Sequence, residues 1–482
     1  MSALICRCRP FAKLLFLAAL WLGGCPGNSP PPLSATKTLP PLTVLVVDDP
    51  ALGQAIAREG RGYEGHEEEI KVQDLSLAEA EKAGRLPGDV VVFPAGLIGQ
   101  FAEPGLILPL EESALEVADF HHRDVFAPLR MGEMRWGNRT LAVTLGSPRL
   151  LLAYRADIFE KLALQPPADW TEYQAALERL ADREQLGDLA PPAEQPWHAT
   201  VEPLAEGWAG QLLLARAAAY ALHRDQVSPL FKFDSLEPLI AEPPYRRALE
   251  ELLAAAKAGQ FAEQALTPAA ALDELLAGRA AMALTWPAPT SPAAKSEVPP
   301  KIGFAMLPGS PTAYNFATKS WDKRSEDQAS RVPLLALSGR LGAVSSSSAD
   351  PARAAGFLAW MAGREAGVVI APTSAATTIF RSSQVASPGP WTKCLPADAA
   401  GQYADALAQT MALPRTFPGL RLPGRSEYLA ALDEAVRQAA AGKQPPAEAL
   451  AAAAEKWRAA TQRLGTQQQQ RANARSLGQQ SL

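Results

Sequence analysis

Residues 272–287 read Leu-Asp-Glu-Leu-Leu-Ala-Gly-Arg-Ala-Ala-Met-Ala-Leu-Thr-Trp-Pro. The three leucines before Gly278 fall on one helical face, and a glycine at this point is typical of a helix end. Residues 280–284 are an apolar run typical of a buried strand, and Pro287 prevents further strand pairing. This arrangement places Trp286 at the carboxyl end of a sheet, where ligands bind in open α/β sheets. On this stretch alone, a ligand contact and a core residue explain Trp286 equally well.

Outward from this stretch, helical and strand-like periods alternate along the chain. Apolar runs bounded by turn residues predict strands at residues 42–47, 70–75, 90–93, 150–154, 301–307, 333–337 and 342–344. Amphipathic runs predict helices at residues 156–162, 211–223, 245–258, 427–441 and 446–464. Alternation at this spacing predicts an α/β fold of βαβ units with mainly parallel sheets.

Two helix starts carry capping signals. Asp48-Asp49-Pro50 follows the first predicted strand, and the proline suits the first position of a helix. Asp169 or Thr171 would cap the helix that follows Pro166-Pro167.

Residues 1–24 predict a secretion signal rather than folded structure. Three basic residues accompany the apolar run 14–22, whose nine residues are too few for a bilayer, which needs about 20. The run closes on Leu22-Gly23-Gly24-Cys25, which resembles the bacterial lipoprotein motif and implies cleavage before Cys25 and lipidation of its sulfur. An ordinary signal peptide with an incidental cysteine is the alternative. Residues 25–41, rich in Pro, Ser and Thr, would form an extended tether.

Composition limits the partners that the exported chain can have. The 482 residues are 48% hydrophobic and carry a net charge of −5, which becomes −8 when residues 1–24, with three basic groups and no acidic one, are removed. An acidic chain without a basic run attracts nucleic acid little, so we expect no nucleic-acid partner. With Cys25 lipidated, Cys394 has no disulfide partner. The polar tail 465–482 has nothing apolar to bury and is predicted to be disordered.

No stretch of the sequence concentrates an acid, a base and a nucleophile. Esterase, zincin, P-loop and Cys-x-x-Cys patterns are absent, so we expect neither an enzyme nor a cofactor. A solvated loop explains His121 and His122, with Asp119 and Asp124, better than a metal site, because adjacent side chains point different ways. Carboxylates paired only in space are invisible in a sequence, which leaves an exported hydrolase as an alternative.

Aromatic residues recur in loops that follow predicted strands. They are Phe93, Trp208, Trp286, Tyr314, Trp321 and Trp391. Flat aromatic faces stack on the apolar faces of sugar rings while polar neighbours bind hydroxyls, so a concave aromatic site suits a small polar ligand. Packing explains each residue alone equally well, whereas the set of six favours binding.

Several segments together resemble one family, the family 1 extracellular solute-binding proteins, which are sugar-type receptors of ABC importers. In chain order the segments are residues 151–159, 278–282, 301–309, 343–358, 422–428 and 448–457. Gly278-Arg279-Ala280-Ala281-Met282, for example, is similar to that family's Gly-Lys-x-Ala-Met segment. The matches span residues 42–464 in the family's order.

The resemblance implies a periplasmic-binding-protein-like type II fold, with two α/β lobes, a hinge and an interlobe cleft. Lobe 1 would comprise residues 42–146 and 335–391, and lobe 2 residues 147–334 and 392–464. A ligand that contacts both lobes only when they are shut would stabilise the closed form, which an importer recognises.

The resemblance also implies a lipid-anchored receptor, facing the periplasm or cell exterior, that captures a sugar or similar small polar solute for an ABC importer. Its partners would be the solute and the permease subunits, with the lipid anchor as its only membrane contact, and we expect a monomer. The cleft would have stacking walls formed by Trp286, Trp208 and Phe93. Its polar anchors would be Ser147, Tyr314 and Arg340.

Two departures from the family pattern leave the ligand open. Leu429 follows Tyr428 where the family often has an aromatic residue, and Gly339-Arg340-Leu341-Gly342 replaces a glycine–aromatic pair. Arg340 suits an anionic group as well as a hydroxyl. A solute-binding-like sensor or surface lipoprotein without a transport role is therefore the alternative function.

Overall fold

The computed structural model describes residues 41–65, 70–116, 120–259, 265–288, 300–325 and 330–479. These residues form the strands β1 (Thr43–Val47), β2 (Lys71–Leu75), β3 (Val90–Pro94), β4 (Arg135–Trp136), β5 (Arg139–Thr140), β6 (Val143–Thr144), β7 (Leu151–Arg155), β8 (Met282–Thr285), β9 (Ile302–Met306), β10 (Thr312–Asn315), β11 (Ser320–Lys323) and β12 (Arg340–Val344). The helices are α1 (Pro50–Glu59), α2 (Leu77–Lys82), α3 (Ile98–Ala102), α4 (Glu112–Leu115), α5 (Ala156–Lys161), α6 (Trp170–Ala181), α7 (Arg183–Leu186), α8 (Ala209–Ala221), α9 (Pro243–Gly259), α10 (Pro268–Leu276), α11 (Pro351–Met361), α12 (Arg364–Ile370), α13 (Ala397–Met411), α14 (Arg425–Ala440), α15 (Pro446–Leu464) and α16 (Thr466–Ser476).

Five strands form the first sheet, in the order β2-β1-β3-β12-β6. β1 is parallel to β2 and β3, whereas β12 runs antiparallel to β3 and β6. Residues 44–47 and 90–93 are all buried, which explains why these apolar runs show no alternation. From these directions, the ends of β1, β3 and β6 and the start of β12 lie at one edge of the sheet.

Three strands form a second sheet, in the order β8-β7-β9, and β7 is antiparallel to both neighbours. The prediction of mainly parallel sheets is therefore wrong for this sheet. The direction of each strand depends on the path by which the long connections bring the chain back to the sheet. Hydrophobic periodicity carries no information about this path. The start of β7 and the ends of β8 and β9 lie at one edge, and Trp286 directly follows β8 there.

The structure confirms the predicted helix starts. Asp49 caps α1 by accepting a hydrogen bond from the backbone N–H of Leu52 at 3.2 Å, and Pro50 is the first helical residue. Asp169 caps α6 by accepting from two backbone N–H groups of its first turn, at 2.8 and 2.9 Å. Short polar side chains at these positions satisfy donors that have no partner inside the helix.

Residues 333–337 do not form the predicted strand, because they make only an isolated bridge between Leu334 and Phe417. Ala336 has a φ of 52°, which an extended strand does not allow. Its backbone N–H donates to the buried Glu133 carboxylate at 2.7 Å instead of to a neighbouring strand.

The prediction of a disordered tail at residues 465–482 is wrong for the part that the structure describes. Thr466–Ser476 form α16, and Gln469 is buried. The Gln469 Nε2 donates to the Pro423 carbonyl at 3.1 Å, and Arg475 forms a salt bridge with Glu103 at 2.8 Å. Polar contacts hold this helix, and a count of apolar residues does not reveal them.

Pro41–Leu482 form one compact unit. β12 joins the first sheet although it follows all the strands of the second sheet in the chain. The predicted lobe boundaries, residues 42–146 with 335–391 and residues 147–334 with 392–464, stay predictions.

Within the described ranges, no single helix is long and apolar enough to cross a membrane. One bent pair, Pro351–Met361 with Arg364–Thr373, meets the test by length and composition only.

Candidate ligand-binding site

A buried ion pair lies at the edge of the first sheet. Arg340, the first residue of β12, donates from Nε to Asp49 Oδ2 at 2.8 Å and from Nη2 to the Asp48 carbonyl at 3.2 Å. Ser374 donates its hydroxyl to the same Asp49 oxygen. Because Asp49 already neutralises Arg340 inside the protein, the role of Arg340 as a ligand anchor stays a prediction.

Ser147 lies where the chain leaves the first sheet. Its hydroxyl is within hydrogen-bond distance of the Glu133 carboxylate (3.1 Å) and of the Ser338 carbonyl (3.0 Å), and it accepts from Arg149 Nη1 at 3.0 Å. Ser147 is fully buried. These internal partners occupy its hydroxyl in this conformation, and ligand contact by Ser147 stays a prediction.

Phe93 lies in β3 near the same edge. Its ring packs edge to face on Phe101, with 4.9 Å between ring centroids, and both rings are fully buried. Phe93 therefore packs in the core in this conformation, and its role as a stacking wall stays a prediction.

Two predicted site residues, Trp208 and Trp286, come together at the edge of the second sheet. Trp286 follows β8, Trp208 precedes α8, and their ring centroids are 5.4 Å apart with 55° between the ring planes. Trp286 is 4% exposed, whereas Trp208 is partly exposed. We call these two residues the tryptophan pair.

A carboxylate from α14 fixes the N-terminus of α8 beside this pair. The Gly210 N–H donates to Asp433 Oδ1 at 3.1 Å, and this supplies the cap that the Trp208 side chain does not. Burial raises the pKa of Asp433, and backbone hydrogen bonds from Gly210 and Gly207 oppose that shift. Gln211, in the first turn of α8, donates to the Gly207 carbonyl at 2.9 Å, which orients its amide.

Arg425 links α8 to the loop that follows β3. Its Nη2 donates to Gln211 Oε1 at 3.0 Å and its Nε donates to the Leu420 carbonyl at 3.0 Å. The guanidinium lies so close to Gly96 that a Cβ on that residue would overlap it, so a larger residue there would displace the Arg425 side chain. Burial lowers the pKa of Arg425 to about 10, and Glu81 opposes the shift, so the group stays charged at neutral pH. Part of its side chain still contacts solvent.

Sequence reasoning missed both Gln211 and Arg425. Arg425 directly follows Leu422-Pro423-Gly424, a segment that resembles the start of the family's closing helix. This position next to a family-like segment was the signal that could have pointed to Arg425. Gln211 gave no signal, because its partner lies far away in the chain.

Tyr314 lies apart from the tryptophan pair, in the β10–β11 hairpin. Its ring packs against Trp321 at 5.3 Å, and Trp321 contacts Tyr220 in the last turn of α8 at 5.9 Å. Trp391 is fully buried against Phe380. The structure therefore brings Trp208 and Trp286 together and leaves the other aromatic residues elsewhere.

Among the described residues, no group of three or more His, Cys, Asp or Glu side chains is placed to hold a metal ion. Asp124 accepts hydrogen bonds from the backbone and hydroxyl of Ser383, and burial lowers the pKa of His122. Asp119 and the predicted lipid site Cys25 lie outside the described residues, so the prediction of lipidation is untested.

Comparison with known proteins identifies the family. The family described as "Bacterial extracellular solute-binding protein" matches residues 48–368, which are 321 of the 482 residues. No curated sequence matches the chain.

Solved structures share the fold at low sequence identity. An ABC transporter solute-binding protein from Agrobacterium vitis S4, with bound D-mannitol, has a TM-score of 0.62 at 16% identity and covers 89% of this chain and 99% of that chain. One from Agrobacterium radiobacter K84, in complex with ribitol, has a TM-score of 0.61 at 17% identity over 87% and 98%. Maltose-bound MalE3 from T. maritima has a TM-score of 0.59 at 14% identity over 87% and 99%.

At these identities the structural likeness establishes the fold alone, and this fold is the periplasmic-binding-protein-like α/β architecture predicted from the sequence. The sequence match covers more than half of the chain and establishes the family. The chain belongs to the bacterial extracellular solute-binding protein family.

Proposed function

We propose that this protein is an exported receptor that captures a sugar or polyol for an ABC importer. The observation that carries the proposal is the tryptophan pair, whose rings lie 5.4 Å apart at the edge of the second sheet. Aromatic faces offer the large flat apolar contact that the C–H faces of sugars require, and ligands of α/β proteins bind at such edges. The structurally similar proteins with D-mannitol, ribitol and maltose bind neutral polyhydroxy compounds.

Gln211 and Arg425 would supply the polar contacts beside the tryptophan pair. They hydrogen-bond to each other at 3.0 Å, and Arg425 also reaches the loop at Gly96, so they connect the edges of both sheets. A ligand hydroxyl placed between these edges would accept from the guanidinium or bond to the amide. Charge-assisted hydrogen bonds of this kind are roughly twice as strong as neutral ones.

Ligand binding would close two lobes with the boundaries predicted from the sequence. The tryptophan pair belongs to the second predicted lobe, whereas Gly96 belongs to the first. A ligand that contacts both groups only in the closed form shifts the population toward that form. The importer would distinguish the liganded receptor by this closed shape.

The proposal includes a place for the receptor in the cell. Residues 1–24 would be removed during export, Cys25 would carry the lipid, and residues 25–41 would tether the folded unit to the membrane. The receptor would act as a monomer and deliver its solute to the permease subunits.

A thermal-shift screen tests the proposal on the chain from residue 25 onward, carrying Cys25→Ser so that it bears no lipid. The panel is D-mannitol, ribitol, maltose and other neutral sugars, with amino acids and sugar phosphates as competing classes. A ligand present at 100 times its dissociation constant stabilises the folded state by about 2.7 kcal/mol, which raises the melting temperature measurably. A panel of sugars and polyols in which none raises the melting temperature would overturn the proposed ligand class.

A further inference from the structure

A cavity lined by five arginines opens near the C-terminal end of α8. Its volume is about 380 Å³, and we call it the arginine cavity after Arg135, Arg224, Arg415, Arg421 and Arg475. None of the described residues that line it is acidic. The whole chain has 51 acidic residues against 46 basic ones, so this local excess of positive charge is opposite in sign to the net charge.

The arginine cavity is separate from the tryptophan pair. Trp208 precedes the first residue of α8, whereas Leu222, which lines the cavity, follows its last residue. The 13 residues of α8 span about 20 Å at 1.5 Å per residue. The cavity therefore lies about one helix length from the proposed sugar site.

Backbone carbonyls hold the most buried of these arginines in place. Arg421 donates from Nη1 to the carbonyls of Gly132 (2.9 Å) and Arg135 (3.3 Å), and from Nη2 to that of Ser476. It is 3% exposed, and its Nε is buried without a hydrogen-bond partner among the described residues. Carbonyls orient a guanidinium but do not neutralise its charge.

Arg415 and Arg135 are held in the same way. Arg415 donates from Nη1 to the His223 carbonyl at 3.1 Å and from Nη2 to the Gln226 carbonyl at 3.3 Å. Arg135 donates from Nη2 to the Asn138 carbonyl at 2.6 Å. Both side chains therefore have fixed positions at the cavity.

Three of the five arginines lack a carboxylate partner. In the part of the chain that the structure describes, no Asp or Glu oxygen lies within 4.0 Å of Arg135, Arg415 or Arg421, whereas Arg475 pairs with Glu103 at 2.8 Å and Arg224 lies 3.9 Å from the Asp225 carboxylate. Burial lowers the pKa of Arg421 to about 10 although the charge of Glu133 opposes the shift, and this lowering reflects the cost of holding the Arg421 charge away from water. A buried charge without a partner is unfavourable, and an anion in the cavity would relieve that cost.

Two exposed apolar side chains also line the cavity. Met131 and Val227, which also line it, are 58% and 54% exposed, and both are large hydrophobic side chains left in contact with water. An anion that enters the cavity would therefore find apolar surface for an attached hydrocarbon group.

We propose that the arginine cavity is a second binding site, which takes a phosphate- or carboxylate-type oxyanion carrying an apolar substituent. Planar guanidinium groups match the paired oxygens of such anions, and a neutral polyol in the cavity would leave the guanidinium charges unpaired. The same chemistry is offered by a free phosphate ester and by the headgroup of an anionic lipid. This site does not depend on what the tryptophan pair binds.

Two probes distinguish the sources, both used with the chain from residue 25 onward carrying Cys25→Ser. Inorganic pyrophosphate is titrated in a calorimeter, and vesicles of phosphatidylglycerol with phosphatidylcholine are compared in a pelleting assay with vesicles of phosphatidylcholine alone. The test variant is the double substitution Arg224→Gln with Arg415→Gln, which spares the almost fully buried Arg421. The control, Arg58→Gln with Arg61→Gln, removes the same charge from an exposed region, and melting curves verify that every variant is folded.

The wild-type chain and the control should bind pyrophosphate or the anionic vesicles, and the test variant should bind at least tenfold more weakly. Binding of pyrophosphate without binding of the anionic vesicles identifies a soluble anion as the ligand, whereas binding of the anionic vesicles identifies a lipid headgroup. Trp208→Ala should leave this binding unchanged. The proposal is overturned if neither probe binds the wild-type chain, or if the test variant and the control bind equally well.

Discussion

At the scale of single residues, the buried ion pair between Glu133 and Arg149 lies where the chain passes from the first sheet to the second. Glu133 accepts from Arg149 Nη2 at 2.9 Å and from the Ala336 backbone N–H at 2.7 Å, and both side chains of the pair are almost fully buried. Glu133→Leu would leave the Arg149 charge buried without its partner, which typically costs about 3–5 kcal/mol. Urea denaturation should show a loss of that size in the free energy of unfolding.

A second variant separates the charge from the packing at this pair. Glu133→Leu combined with Arg149→Met removes both charges, so the desolvation cost disappears and the double variant should lose much less stability than Glu133→Leu alone. Losses that simply add in the double variant would show that the ion pair has no special role.

Cys394 provides a test of core burial. Its side chain is 4% exposed, and burial raises the pKa of its thiol to about 11. The chain from residue 25 onward carrying Cys25→Ser has Cys394 as its one cysteine. Because the thiolate is the reactive form, this folded chain at pH 8 should react with a thiol-specific disulfide reagent at least about a hundredfold more slowly than the same chain in urea. Equal rates in the two conditions would place Cys394 at the surface.

At the scale of elements, α16 contributes to stability through its C-terminal turn. Arg475 Nη1 lies 2.9 and 2.8 Å from the two Glu103 oxygens, and Glu103 also accepts from Trp136 Nε1 at 2.7 Å. Arg475→Ala should lower the free energy of unfolding by about 1 kcal/mol, because the pair is only partly exposed and its geometry is favourable. Arg471→Ala, an exposed site on the same helix, is the control and should change little. Equal effects of the two substitutions would contradict this role for α16.

The helices and strands show which structural features local sequence can predict. The predicted bounds of α15, residues 446–464, agree with Pro446–Leu464 because a proline at the start, an apolar period and Gly465 beyond the end are all local signals. The direction of β7 against its neighbours and the failure of residues 333–337 to form a strand depend on distant partners. The Ala336 N–H, for example, bonds to Glu133. The helix α16 likewise depends on polar contacts with residues that are distant in the chain.

At the scale of the whole molecule, the candidate site combines segments far apart in the chain. Local patterns placed Trp286 at a sheet edge, and the ordered resemblance to the family gave the fold. No local pattern could show that Asp49 neutralises Arg340 or that Glu133 bonds to Ser147, because these partners meet only in the folded chain. The link from Arg425 to Gln211 was invisible for the same reason.

The central claim is that the tryptophan pair binds a sugar or polyol, and a calorimetric titration tests it most directly. The ligand from the thermal screen is titrated into the wild-type chain, Trp208→Ala and Trp321→Ala, the last being a control at a partly exposed tryptophan outside the pair. We predict saturable binding of one ligand per chain by the wild type and the control, with at least tenfold weaker binding by Trp208→Ala. A tenfold change corresponds to about 1.4 kcal/mol, the size of one aromatic contact. Unchanged affinity in Trp208→Ala, or no saturable binding of any sugar or polyol, would contradict the claim.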